Sequence, residues 1–163
     1  MAFGSQTLSL KGRALRCLSG REHSRSELEK KLAKFEEEPG ELKRVLDELE
    51  AKDFISETRV VQSVLHQKAP RMGAARIRQE LQQKGVAPEA VLDAVASLRD
   101  TEFTRAGDIW RRRFGALPRD QKEHAKQARF LMSRGFSGAV VGKLLKNGFE
   151  PGDEADNEPG SDD

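Results

Sequence analysis

Residues 69–85 read APRMGAARIRQELQQKG, a short loop followed by a helix loaded with arginine. Ala74, Ile77 and Leu81 recur at the spacing that gathers apolar side chains on one helical face, and Gly85 supplies the stop. Arg71 and Arg78 are expected to share a second face, flanked by Gln82. The stretch carries no acid–base pair, no metal-ligand set and no phosphate-cradling glycine loop. Such a helix has one side for a core and another for a partner.

The same period extends in both directions, and no segment alternates with the two-residue period of a strand. Start and stop signals divide the chain into about nine helices. The first, near 8–19, places Leu10, Ala14 and Leu18 on one face. The second opens at SRSE, where Ser24 and Glu27 have capping-box spacing, and carries Leu28 and Leu32 on to Phe35. The third, about 40–52, carries Leu42, Val45, Leu46 and Leu49. Ser56 caps a fourth with Val60, Val61, Val64 and Leu65. The quoted helix is the fifth. Pro88 suits the first turn of the sixth, which carries Val91, Leu92, Val95 and Leu98. The seventh, about 101–114, carries Phe103, Ala106, Trp110 and Phe114. The eighth, about 119–134, is expected to turn Ala125, Ala128 and Met132 toward the core. Ser137 caps the ninth, which carries Val140, Val141, Leu144 and Leu145 and ends at Gly148.

Nine helices fall into three groups of three. RVLDELEAK (44–52) aligns with AVLDAVASL (90–98), and that with AVVGKLLKN (139–147). ELEKKLAKF (27–35) and RIRQELQQK (76–84) share their apolar spacing, with QARFLMSRG (127–135) a weaker match. The third helices of the first two groups, at Val45 and Val91, are 46 residues apart, and a recurrence of this length marks a helical repeat array, in which each unit is too small to bury its own core and must stack on its neighbours. The expected organisation is all-α: a loose start at 1–7, three-helix repeats at 8–54, 55–100 and 101–149, and a disordered acidic tail at 150–163. Together the repeats should form an elongated, curved array.

Apolar residues make up 36% of the 163 residues and charged residues 34%, a ratio suited to thin helical layers with a large wet surface. Cys17 is the single cysteine and reads as a small core residue. His23, His66 and His124 stand too far apart in sequence to form a metal motif. No cofactor or metal is therefore expected. No apolar run reads as a signal peptide or a membrane span, so the expectation is a cytoplasmic monomer that does not engage a membrane.

The overall charge of +2 conceals an uneven distribution. Residues 8–54 carry eleven bases and eleven acids, residues 55–100 seven and five, and residues 101–149 eleven and four. The tail then contributes seven acids. At about 100° per residue, Lys122, Lys126, Arg129 and Ser133 lie within a narrow arc of the eighth helix. Arg111, Arg112 and Arg113 fan around the seventh, and Trp110 reads as a packing anchor. The partner of such a cationic face is phosphate or a strongly acidic protein surface. No exposed row of base-reading side chains is recognisable, so any DNA contact, to single or double strands, should be weak and without strong sequence preference. The acidic tail is expected either to screen the third repeat from off-target DNA or to act as a solubiliser.

Three stretches carry a family resemblance: CLSGREHSRSELEKKL (17–32), VLDELEAKDFIS (45–56) and above all GAARIRQELQQKGV (73–86). The chain resembles the RecX family, bacterial regulators of the RecA recombinase, over about residues 10–149. The acidic tail is not part of that family's pattern. The resemblance implies an all-helical crescent of three three-helix repeats without catalytic activity. It implies binding in the groove of a RecA–DNA filament, with inhibition of filament growth, ATP turnover, strand exchange and co-protease activity. The matching motif residues are Arg76, Arg78, Glu80, Leu81 and Gly85; Leu81 and Gly85 read as packing and termination, Arg76 and Arg78 as contacts. The candidate filament-binding residues are Arg71, Arg76, Arg78, Lys84, Arg111, Arg112, Arg113, Lys122, Lys126, Arg129 and Arg134. A stand-alone helical DNA-binding module without RecA specificity is the alternative, since three-helix units imitate helix-turn-helix domains. A peptide-capturing scaffold is a further one, although the tetratricopeptide pattern is missing.

Overall fold

The structure, a computed structural model, describes residues 7–150 together with Gly152. The remainder of the expected acidic tail lies outside the described residues, as does the start of the chain through residue 6. Among the described residues there are nine α-helices and no strand: α1 Leu10–Gly20, α2 Arg25–Leu32, α3 Glu41–Ala51, α4 Glu57–Lys68, α5 Ala74–Gln83, α6 Pro88–Ser97, α7 Arg99–Arg113, α8 Gln121–Ser133 and α9 Gly138–Asn147. A 3-10 turn, Ala33–Phe35, extends α2. The helices start where side chains can satisfy the first free N–H groups. Ser24 and Glu27 form the reciprocal capping box on α2. Ser56, Asp120 and Ser137 accept from the third residue of α4, α8 and α9 respectively.

Against the expectation that no unit buries a core of its own, three hydrophobic cores follow one another along the chain, one in each repeat. The first gathers Leu10, Ala14, Leu28, Leu32, Leu42, Leu46, Leu49 and Ile55 from α1–α3. Val60, Val64, Ile77, Leu81, Val91, Val95 and Leu98 from α4–α6 are the main members of the second. The third is built on Phe103, Ala106, Trp110, Leu131, Val141, Leu144 and Phe149 from α7–α9. Cys17 lies at the edge of the first core.

One core face differs from expectation. Met132 is 56% exposed and Ala125 is also exposed, so α8 does not turn them inward. The helix is rotated to bury Leu131 and Gln127 instead. Gln127 accepts from Trp110 Nε1 at 2.8 Å and donates to the Ala116 carbonyl at 3.1 Å. A hydrogen-bonded amide can be buried at small cost, and this one satisfies the indole N–H that anchors the third core.

The repeats are joined end to end through their middle helices. At the C-terminal end of α8, the Arg134 and Gly135 carbonyls accept from the Gly73 and Ala75 N–H groups at the start of α5, at 2.7 and 3.2 Å. At the other end of α5, the Lys84 carbonyl accepts from the Ser24 hydroxyl, the N-cap of α2, at 2.5 Å. Free carbonyls of one helix thus meet free donors of the next, and the helix dipoles oppose their unlike ends. The two glycines of the opening stretch stand at these junctions. A β-carbon on Gly73 would collide with the Gly135 and Phe136 backbone, and one on Gly85, at φ +75°, would press on Ser26.

Candidate cationic interface

Charge pairing divides the repeats more sharply than charge counting does. In the first, Lys11, Arg25, Lys43 and Lys52 all reach carboxylates within the repeat. Arg25 touches Glu29, Asp47 and Glu50, which raises its pKa further, chiefly through Glu50. In the third repeat, Arg119 pairs with Glu123 at 3.1 Å and Arg111 sits at 3.9 Å from Asp108. Lys122, Lys126 and Arg129 are exposed, and no carboxylate among the described residues lies within ion-pair distance of them. The core-facing rotation of α8 turns this row to the outside.

A second group adjoins the row. Phe130, roughly 70° around α8 from the row's centre, is approached by two guanidiniums, Arg134 at 5.0 Å and Arg113 at 5.7 Å from the ring centroid. Arg113 also stands 5.5 Å from the Phe114 ring, which packs edge-on against Phe130. The negative ring face offsets part of the repulsion between the two cations, at about 0.5–1 kcal/mol each where exposed. Arg112 donates Nε to the Asp108 carbonyl at 3.3 Å. Arg71 precedes α5, in the loop after α4, so it does not share a helical face with Arg78; instead it lines one cleft with Arg112, Arg113 and Arg134.

The other expected contact residues are separated from this group. Arg76 and Arg78 are exposed on α5, with Arg76 beside the Gly135 junction. Lys84 is tied into the junction between the first two repeats, where its Nζ lies 3.1 Å from Glu27. Arg111 stands over Phe149 at 5.9 Å. The structure therefore brings together Arg71, Arg112, Arg113 and Arg134, with the α8 row alongside, and leaves Arg76, Arg78, Lys84 and Arg111 elsewhere.

Arg105 escaped the sequence reading. Its guanidinium donates to the carbonyls of Ala69 at 2.8 Å, Met72 at 2.5 Å and Leu98 at 3.2 Å, where α4 and α6 end. Burial pushes its pKa down, with Glu102 opposing. It fastens the third repeat to the second by neutralising helix C-termini. Its position on α7 resembles that of any surface arginine, so no local signal distinguishes it. Among the described residues no group of three or more His, Cys, Asp or Glu side chains could hold a metal ion, and no helix is long and apolar enough to cross a membrane.

The family models for the first, second and third three-helix domains of RecX match residues 11–49, 56–95 and 100–145. The chain is 54% identical over 146 residues to the regulatory protein RecX of Leptothrix cholodnii, covering 90% of this chain and 93% of that one. It is 45% identical over 157 residues to the regulatory protein RecX of Ralstonia nicotianae, covering 94% and 99%. A crystal structure of RecX from Lactobacillus salivarius has the same fold, with a TM-score of 0.71 at 19% identity, covering 85% of this chain and 94% of that one.

Proposed function

The chain belongs to the RecX family, and from that premise we propose that it is a non-enzymatic regulator of the RecA recombinase. It binds along the groove of the RecA–DNA filament, contacts more than one subunit, and inhibits ATP hydrolysis, strand exchange and co-protease activity, thereby modulating recombination and the SOS response. The observation that carries this reading is the exposed row Lys122, Lys126 and Arg129, without a carboxylate partner among the described residues, on a chain of repeats docked end to end. Docked repeats add their contacts on a repeating polymer, because once one has engaged, the next binds at high effective concentration. The row supplies charge for the nucleic acid or for an acidic groove wall.

The test is hydrolysis of ATP by a purified RecA–single-strand filament with increasing amounts of the protein. Inhibition well below one copy per RecA is expected. The triple reversal Lys122→Glu, Lys126→Glu and Arg129→Glu is expected to weaken filament binding by at least tenfold. No inhibition at saturation removes the regulatory reading, and full binding by the triple variant removes the role of the row.

A further inference from the structure

Four arginines from the second and third repeats converge on one cleft at the junction between them. Pro70 and Arg71, from the loop after α4, face Ile109, Arg112, Arg113 and Arg134 across an open cleft of about 260 Å³. None of the four arginines has a carboxylate partner among the described residues. Gathering like charges in this way is unfavourable unless something opposes it. The Phe130 and Phe114 rings hold Arg113 and Arg134 in place, and a carbonyl holds Arg112 through Nε, leaving its two terminal nitrogens free. The guanidiniums of Arg112, Arg113 and Arg134 are thus positioned before any ligand arrives, which lowers the ordering cost of binding one.

Guanidinium forks match groups that offer two oxygens in a plane, phosphate or carboxylate. The surroundings favour phosphate on a chain. The cleft is open, so a polymer can pass through it, and Lys122, Lys126 and Arg129 stand on α8, the helix whose C-cap is Arg134. Along α8 that row is spaced at roughly 4.5–6 Å, four and three residues apart at 1.5 Å each. Such a surface suits a ligand with one charge per backbone unit.

We propose that this cleft seats a phosphodiester group of a nucleic-acid strand, and that the bound strand clamps the second and third repeats together. Arg71 belongs to the second repeat, and Arg112, Arg113 and Arg134 to the third. An anion held by both sides opposes their separation at the Gly73–Arg134 junction, because a ligand that binds only the docked form stabilises it. This proposal deepens the regulatory reading by naming where the protein meets the nucleic acid, and it rests on that reading for its biological setting.

Two measurements on the full chain, both without recombinase, test it. In the first, binding of a labelled oligothymidylate is followed by fluorescence anisotropy across a salt series. The pair Arg71→Gln and Arg113→Gln is expected to bind about tenfold more weakly, with the log–log salt slope shallower by about 1.4, or 0.7 per lost phosphate contact. The pair Lys30→Gln and Lys31→Gln removes the same charge from exposed positions in the first repeat and is expected to change affinity less than threefold. Equal losses in both pairs overturn the cleft in favour of diffuse attraction. Displacement of the strand by an acidic peptide of matched charge as readily as by unlabelled oligothymidylate overturns its preference for phosphate.

In the second measurement, hydrogen exchange at the Gly73 and Ala75 amides is expected to slow when the oligonucleotide binds the native chain, and to be unaffected in the Arg71/Arg113 variant. No slowing in the native chain overturns the clamp. A protein that inhibits the filament yet binds no bare strand sinks the cleft alone. One that binds the strand through these arginines yet leaves filament hydrolysis untouched sinks the regulatory reading alone.

Discussion

Gly73 donates its backbone N–H to the Arg134 carbonyl over 2.7 Å, across a gap too narrow for a methyl group. The atoms that a β-carbon at 73 would strike are backbone atoms of Gly135 and Phe136, which cannot swing aside as a side chain can. Two repeats with separate cores are therefore held at a distance set by the absence of side chains.

Gly73→Ala is accordingly expected to lower stability by about 1–3 kcal/mol, the range for overpacking a tight contact. Gly135→Ala should cost at least as much, since it adds a left-handed φ of +89° to a clash with Arg76. Gly142→Ala on the exposed face of α9 meets nothing within 4 Å and should stabilise by about 0.5–1 kcal/mol. Urea unfolding of the three variants checks the order; a neutral Gly73→Ala contradicts the close junction.

Replacing Arg105 by Met keeps most of the side-chain bulk but strands the carbonyls of Ala69 and Met72, while that of Leu98 keeps the Thr101 hydroxyl. A loss of about 2–4 kcal/mol is expected, from part-buried acceptors left unpaired. Arg112→Met, at an exposed position, should stay within about 0.5 kcal/mol of the native chain. Similar unfolding midpoints for the two variants would show that Arg105 does not fasten the repeats.

Acid should loosen the junction between the first two repeats. Burial pushes the Glu27 carboxyl up, but hydrogen bonds from Arg21, the Ser24 N–H and Lys84 outweigh it and hold the group at about 2. Its folded value lies below its ordinary 4.5, so its contribution is complete above about pH 4.5 and disappears as the pH falls toward 2. His23 acts in the same sense at higher pH. Burial pushes its pKa below the ordinary 6.5, while Nδ1, 3.0 Å from the Arg21 carbonyl, carries the proton of the neutral ring. Its contribution is complete above 6.5 and is lost as the pH falls toward the lowered value. Stability measured from pH 7 to 3 should decline, and Glu27→Gln should flatten the part below pH 4.5 while costing about 1–2 kcal/mol at pH 7. An unchanged pH profile in that variant refutes the assignment.

Removing residues 153–163 deletes Asp153, Glu154, Asp156, Glu158, Asp162 and Asp163. If those charges screen the third repeat, affinity for bare DNA at low salt should rise several-fold, and the gain should shrink as salt is added. Equal affinity with and without the segment would leave it the role of a solubiliser.

Much of the architecture is written locally. The capping box at Ser24 and Glu27, the caps at Ser56 and Ser137, and the stop at Gly85 depend on residues within a few positions of one another. The excess of bases over acids in residues 101–149, eleven against four, is likewise visible as composition. Short-range rules suffice for such features, since a helix forms its bonds with residues four positions away.

Tertiary structure decided which side of each helix is buried and where the ends meet. A polar Gln127 took the place expected for Met132 because Trp110, on another helix, offers a donor that needs an acceptor. Lys84 became a junction residue because Glu27 lies across from it, whereas Arg71 joined Arg112, Arg113 and Arg134 only when two repeats docked. Periodicity identifies faces, but burial is an energy of two surfaces together, and the second surface comes from a distant part of the chain.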